Sequence, residues 1–81
     1  MNPRQLELLC HVVDAGSLTE AARRAGVSQP AVSQAMAALA RQVGEPLLVR
    51  VGRMLQPTER ALALARAARS QVDAEYVQSE Q

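Results

Sequence analysis

The sequence predicts a mainly α fold: three helices, a two-stranded hairpin and a long closing helix. Three observations carry that prediction. Helix-start residues recur at Asn2, Ser17, Ser28 and Thr58, and glycines stand at positions 16, 26 and 44 where helices would stop. Between those marks the apolar residues repeat at helical spacing. One segment, 46–57, changes character and carries strand formers around a glycine turn.

The first helix is marked by Asn2 as N-cap, Pro3 at the first helical position and Gln5 completing an Asn-x-x-Gln box. Leu6, Leu9, Cys10 and Val13 fall on one stripe, and Gly16 stops the helix. The second helix opens on Ser17-Leu18-Thr19-Glu20, which reads as a full capping box. Its buried face is Leu18, Ala21, Ala22 and Ala25, and Gly26 ends it. Only Val27 separates Gly26 from Ser28, the N-cap of the third helix, whose first turn tolerates Pro30. Val32, Met36, Leu39 and Val43 form its stripe, and Gly44 ends it. So short a connection suits a helix-turn-helix with a large crossing angle, not a side-by-side pair.

Leu47, Leu48, Val49 and Val51 favour strand, and Val51-Gly52-Arg53-Met54 offers a turn. Two short strands are expected at 47–50 and 54–56, joined by a basic tip and closed by Pro57. Thr58 caps the last helix, with Glu59 against its positive end. That helix is expected to run to about Tyr76. Ala61, Ala65, Ala68, Val72 and Tyr76 form a near-heptad seam of small and apolar residues. Leu62 and Leu64 share a neighbouring face, with Arg66 and Arg69 beyond. A helix this long outruns its own body, so the seam is expected to meet a partner copy. The expected units are a body over 1–57, a linker helix over 58–78 and a frayed tail over 79–81.

At 81 residues the chain is one small domain, too short for an enzyme of ordinary size. Its 48% hydrophobic and 21% charged composition is that of a folded protein. Tyr76 is the single aromatic residue, so base-stacking platforms have no material here. The lone Cys10 excludes an intrachain disulfide, and one histidine cannot build a metal centre. Cys10 and His11 point about 100° apart on a helix, so with Asp14 they form no nucleophile site. No enzyme activity, metal or cofactor is expected. No apolar run approaches about 18 residues and no signal-peptide pattern is present, so a cytoplasmic location without membrane contact is expected.

The net charge of +1 hides a strong asymmetry. Residues 1–22 carry −2 and residues 70–81 carry −3. Between them Arg23, Arg24, Arg41, Arg50, Arg53, Arg60, Arg66 and Arg69 face only Glu45 and Glu59, which gives +6. A basic block with acidic flanks is the footprint a nucleic-acid reader needs, although scattered surface arginines would give the same count.

The strings Gly16-Ser17-x-Thr19-x-Ala21-Ala22 and Val27-Ser28-Gln29-Pro30-Ala31-x-Ser33 are specific in combination. With Leu39, Gly44, Leu47-Leu48, Arg50, Gly52-Arg53 and Thr58-Glu59 they make the chain resemble the N-terminal DNA-binding domain of a LysR-type transcriptional regulator. The resemblance runs from Asn2 to about Gln71. It implies a winged helix-turn-helix, a double-stranded DNA partner and a homodimer whose linker helices pair antiparallel. It also implies an effector-binding domain of two α/β lobes, which this chain is expected to lack, so that a small-molecule effector or a higher oligomer would belong to a longer protein. Some positions depart from the family pattern. Ala40 stands where Glu is common, and Leu9, Leu18 and Leu48 where Phe is common. Pro57, Arg60 and Ala61 replace a usual Leu, Ala and Gly.

A recognition helix sets its first turns against base edges in the major groove. Here those turns offer Gln29, Pro30, Ala31, Ser33 and Gln34. Gln29 can bond an adenine edge with two hydrogen bonds, and Pro30 and Ala31 can touch a thymine methyl. The resemblance supports Gln29, Pro30 and Ser33 as base contacts. Gln34 falls at a variable position suited to setting specificity. Arg53 beside Gly52 suits insertion into a narrow minor groove, with Arg50 there or on a phosphate. Ser17, Thr19 and Ser28 are expected at phosphates, in addition to their capping roles. Arg23, Arg24 and Arg41 read equally well as surface solubilisers. A dimer would then read an interrupted inverted repeat. The competing reading is a helical dimerisation module that does not bind DNA.

Overall fold

The first three helices each start on a polar cap and stop on a glycine. In the computed structural model, which describes the backbone of residues 2–80 and the side chains through residue 70, the order is α1 (Pro3–Ala15), α2 (Leu18–Ala25), α3 (Gln29–Val43), β1 (Leu48–Val51), β2 (Met54–Pro57) and α4 (Glu59–Glu80). The Asn2 side chain accepts from the Gln5 amide at 2.8 Å, and the Gln5 side chain accepts from the Asn2 amide at 3.3 Å. That is the reciprocal box expected there. Ser17 Oγ accepts from the Glu20 amide at 3.0 Å, and Ser28 Oγ from the Ala31 amide at 3.2 Å.

The second box is only half made. The Glu20 carboxylate does not turn back to the Ser17 amide; it bonds the Arg23 and Arg24 guanidiniums. Charge-assisted bonds to guanidiniums one turn ahead outcompete a neutral amide.

The turn between α2 and α3 is a Schellman motif. The Val27 amide donates to the Ala22 carbonyl at 3.0 Å, and the Gly26 amide to the Arg23 carbonyl at 3.3 Å. Gly26 takes φ of 72°, a left-handed backbone that any side chain would strain. This wrap lets α3 start two residues later on a new axis.

The core joins Leu8, Leu9 and Val12 of α1 to Leu18, Ala21 and Ala22 of α2 and to Val32, Met36 and Leu39 of α3. Leu47, Ala61 and Ala65 complete it. On α1 the buried residues are rotated from the expected stripe: Leu6, Cys10 and Val13 are only half-buried. The cause is that α1 packs against α2, α3 and α4 at once, so its buried arc is wider than one stripe. Burying each leucine contributes roughly 1.5–3 kcal/mol.

The hairpin is antiparallel, with Leu48 opposite Pro57 and Val51 opposite Met54. Each strand lies slightly beyond its expected span. Leu47 stays outside β1 because it is fully buried and anchors the hairpin to the helices. Pro57, expected to end the segment, is the last residue of β2, a strand-end position where a missing amide is tolerated. Thr58 ties the two parts together. Its amide donates to the Leu47 carbonyl at 3.0 Å, its hydroxyl donates to the Pro46 carbonyl at 2.9 Å, and the same oxygen accepts from the Ala61 amide at 3.3 Å. The base of the hairpin and the start of α4 therefore share one residue.

α4 differs from expectation in two ways. It extends to Glu80 and takes in two residues assigned to a frayed tail, since neither glycine nor proline interrupts 59–80. The early part of its seam is not free for a partner copy. Ala61 and Ala65 are buried in the chain's own core, where their small side chains let α4 lie close to α1. Ala68 is half-buried, and the Val72 and Tyr76 side chains lie outside the described residues. Among the described residues no helix is long and apolar enough to cross a membrane.

Candidate nucleic-acid interface

An open cleft of about 270 Å³ gathers residues from three elements. Ser17 and Thr19 come from the start of α2, Gln29 from the start of α3, and Arg50, Arg53 and Met54 from the hairpin. The helix-turn-helix brings the first two together. The hairpin's register brings in the third. Pleating puts Leu48, Arg50, Leu55 and Pro57 on one face and Val49, Val51, Met54 and Gln56 on the other. Leu48, Leu55 and Pro57 are half-buried against the body, so Arg50 is carried on the inward face, beside Gln29 and the start of α2.

Each group in the cleft fits one part of a duplex. The first amides of α2 have no partner within the helix and sit at its positive end, a natural phosphate site. The Ser17 hydroxyl accepts the Glu20 amide and keeps its proton to donate. Gln29 is exposed with both amide functions free for a base edge. Arg50 and Arg53 are exposed guanidiniums.

On α3, Pro30, Gln34, Ala37 and Arg41 are spaced four, three and four and form one exposed stripe opposite Val32, Met36 and Leu39. Ser28 and Ser33 are also exposed. Ala31 is half-buried and stands at the edge of that surface. The stripe singles out Arg41, which the sequence alone leaves open between a DNA contact and a surface solubiliser. Its spacing from Gln34 was the available signal.

Ion pairs decide which arginines are available. Arg23 Nε bonds both Glu20 carboxylate oxygens at 3.0 Å, and Arg24 Nε lies 3.3 Å from one of them. The Arg23 hydrogen bonds outweigh the desolvation that opposes them and, helped by the Arg24 hydrogen bond and both guanidinium charges, lower the Glu20 pKa to about 2. Arg60 lies 4.0 Å from Glu45, and Arg69 is bound to Asp14. Among the described residues Arg41, Arg50, Arg53 and Arg66 make no ion pair. Four arginines of the basic block are thus held by three acids, with Arg23 and Arg24 sharing the one Glu20 carboxylate, and among the described residues the hairpin arginines face no acid.

A helix-turn-helix followed by a hairpin set beside the start of its second helix is a winged helix-turn-helix, the architecture of a class of DNA-binding regulators. The comparisons with known proteins agree. Residues 3–62 match the family model described as the bacterial regulatory helix-turn-helix protein, lysR family, and the chain belongs to that family. It is 41% identical over 70 residues to the nitrogen assimilation regulatory protein nac of Klebsiella aerogenes, a match spanning 86% of this chain and 23% of nac. The structure resembles that of the CbnR DNA-binding domain in complex with DNA, with a TM-score of 0.85 and 32% identity, covering 99% of this chain and 92% of that one. It also resembles full-length LysG of Corynebacterium glutamicum with bound effector Arg, with a TM-score of 0.84 and 36% identity, covering 100% of this chain and 28% of LysG. The chain spans about a quarter of the length of the curated regulators it matches.

Proposed function

We propose that this chain is the reading head of a transcriptional regulator and binds double-stranded DNA sequence-specifically. The observation that carries the reading is the cleft, where a helix N-terminus, the first turn of α3 and two unpaired hairpin arginines converge. α3 enters the major groove. Gln29, Pro30, Ser33 and Gln34 face base edges there, and Ala31 contributes at the margin. Arg53 reaches the minor groove, and Arg50, Ser17, Thr19 and Ser28 hold phosphates. Arg41 adds a phosphate contact at the far end of α3. The fold shared with a domain solved on DNA supports this reading.

The chain acts as a homodimer through α4, along the part of its seam that runs past the core. Ala68 is half-buried there, and the seam continues in sequence to Val72 and Tyr76. Two heads then read an interrupted inverted repeat. The setting is cytoplasmic. A small-molecule effector, of the kind bound to LysG, would act on a longer protein outside the residues matched here.

Selection of bound sequences from a random DNA pool tests all of this at once. The expected result is two inverted half-sites at one spacing, with Gln29→Ala relaxing preference at one base pair in each. A module that only dimerises would select nothing, even at low salt.

A further inference from the structure

α4 leaves the core at Ala65, its last fully buried described residue, and continues for another 15 residues to Glu80. At 1.5 Å per residue that is a lever of about 22 Å. A tilt of about 10° at Ala65 would move its end by about 4 Å, close to one base-pair step of duplex DNA. The alanine stripe does little to resist such a tilt. Ala61 and Ala65 allow close approach to α1 but interlock with nothing.

One side chain supplies the missing constraint. Arg69 is one turn beyond Ala65 on the same line of α4. Its Nη2 donates to the Cys10 carbonyl at 3.3 Å and to the Asp14 carboxylate. The two acceptors sit one turn apart on α1, so a single guanidinium resists both sliding and rotation of α4. Apart from a long Cys10 Sγ contact to the Ala65 carbonyl at 4.0 Å, these are the polar links between α1 and α4 among the described residues.

We propose that Arg69, held by Asp14 and the Cys10 carbonyl, is a positioning residue that fixes the angle of α4 on the reading head and so sets the half-site spacing a dimer accepts. This rests on the reading of α4 as the dimer helix. The clamp touches no DNA. It acts on the distance between two heads and leaves each head's affinity alone.

Two measurements test it on the 81-residue chain. The first uses spin labels at Gln42→Cys on α3 and Gln78→Cys on α4, in a Cys10→Ala background diluted with unlabelled chain. The intramolecular distance distribution should be narrow and should broaden in Arg69→Ala. Asp14→Ala should broaden it less, because the Cys10 carbonyl bond remains. The second repeats the random-pool selection. Arg69→Ala should keep the half-site sequence and the affinity for a lone half-site while its preference for one spacing falls about 3- to 5-fold, the size expected of a half-exposed ion pair. Unchanged distance distributions in both variants would overturn the clamp. So would equal losses on lone and paired half-sites, the mark of a merely structural role. A wild-type chain that selects lone half-sites would overturn the dimer reading and the spacing role together, and the distance measurement would still report whether Arg69 fixes α4.

Discussion

The end of α2 and the hairpin carry two arginines each, and the structure treats them in opposite ways. Arg23 and Arg24 are drawn onto Glu20 by charge-assisted bonds. Arg50 and Arg53 sit in the cleft with no acidic partner among the described residues. A sequence count scores the four alike. On a helix an acid one turn earlier is within reach, so both guanidiniums are drawn onto it and one of the two charges is offset. On a two-stranded tip the neighbours along the chain point away, and Glu45, the nearest acid in sequence to Arg50, pairs with Arg60. The charge a regulator offers to DNA is thus set by where its acids fall as much as by how many arginines it holds.

The comparison fails most directly if the hairpin loses its seat. Leu47 is fully buried and its carbonyl accepts from the Thr58 amide. Leu47→Ala should cost about 2–5 kcal/mol of stability, measured by denaturant unfolding. Binding should also suffer as the hairpin loosens, and a fully stable variant would show that the hairpin is anchored elsewhere. Next in size is Arg53→Ala, expected to weaken binding by about 1–3 kcal/mol and chiefly at A·T-rich flanks. An unchanged footprint would remove Arg53 from the minor groove.

Smaller still is the effect of the paired arginines. Arg23→Ala should change DNA affinity by less than about threefold, since its guanidinium is turned onto Glu20 and lies outside the cleft, and gel-shift titration would detect a larger loss. The smallest effect concerns acid. The Glu20 pKa is depressed to about 2 from an unfolded value of 4.5, so its contribution is fully present above pH 4.5. It is lost as pH falls through about 2. Carboxyl resonances followed by NMR should show Glu20 still ionised at pH 3; a midpoint near 4.5 would mean that the Arg23 and Arg24 contacts do not persist in solution.

Most of the fold was legible because its signals are local. Asn2, Ser17 and Ser28 cap through bonds three residues away, and Gly16, Gly26 and Gly44 stop the helices with their own backbone. What escaped was choice among partners. Glu20 could turn back to an amide or forward to two guanidiniums, and the sequence holds both options. The small-residue seam of α4 says that something packs closely there, without saying whose helix it is. For Ala61 and Ala65 the answer is α1 of the same chain. Arg69 meets Asp14 across 55 residues, a pairing no spacing rule reaches. The site was legible in its members through the family strings. Its convergence was not, because Arg50 reaches the side of Gln29 only through the strand register and the buried seat at Leu47.

The central claim is that the unpaired hairpin arginines, not the paired arginines of α2, supply charge to DNA. The salt dependence of binding measures that directly, because its slope counts the phosphates neutralised. Removing both hairpin arginines, as Arg50→Ala with Arg53→Ala, should lower the slope by about two, one for each cation. Removing both helix arginines, as Arg23→Ala with Arg24→Ala, should lower it by no more than about one, because Glu20 offsets one of the two charges. Equal reductions from the two pairs, or a larger one from α2, would contradict the account.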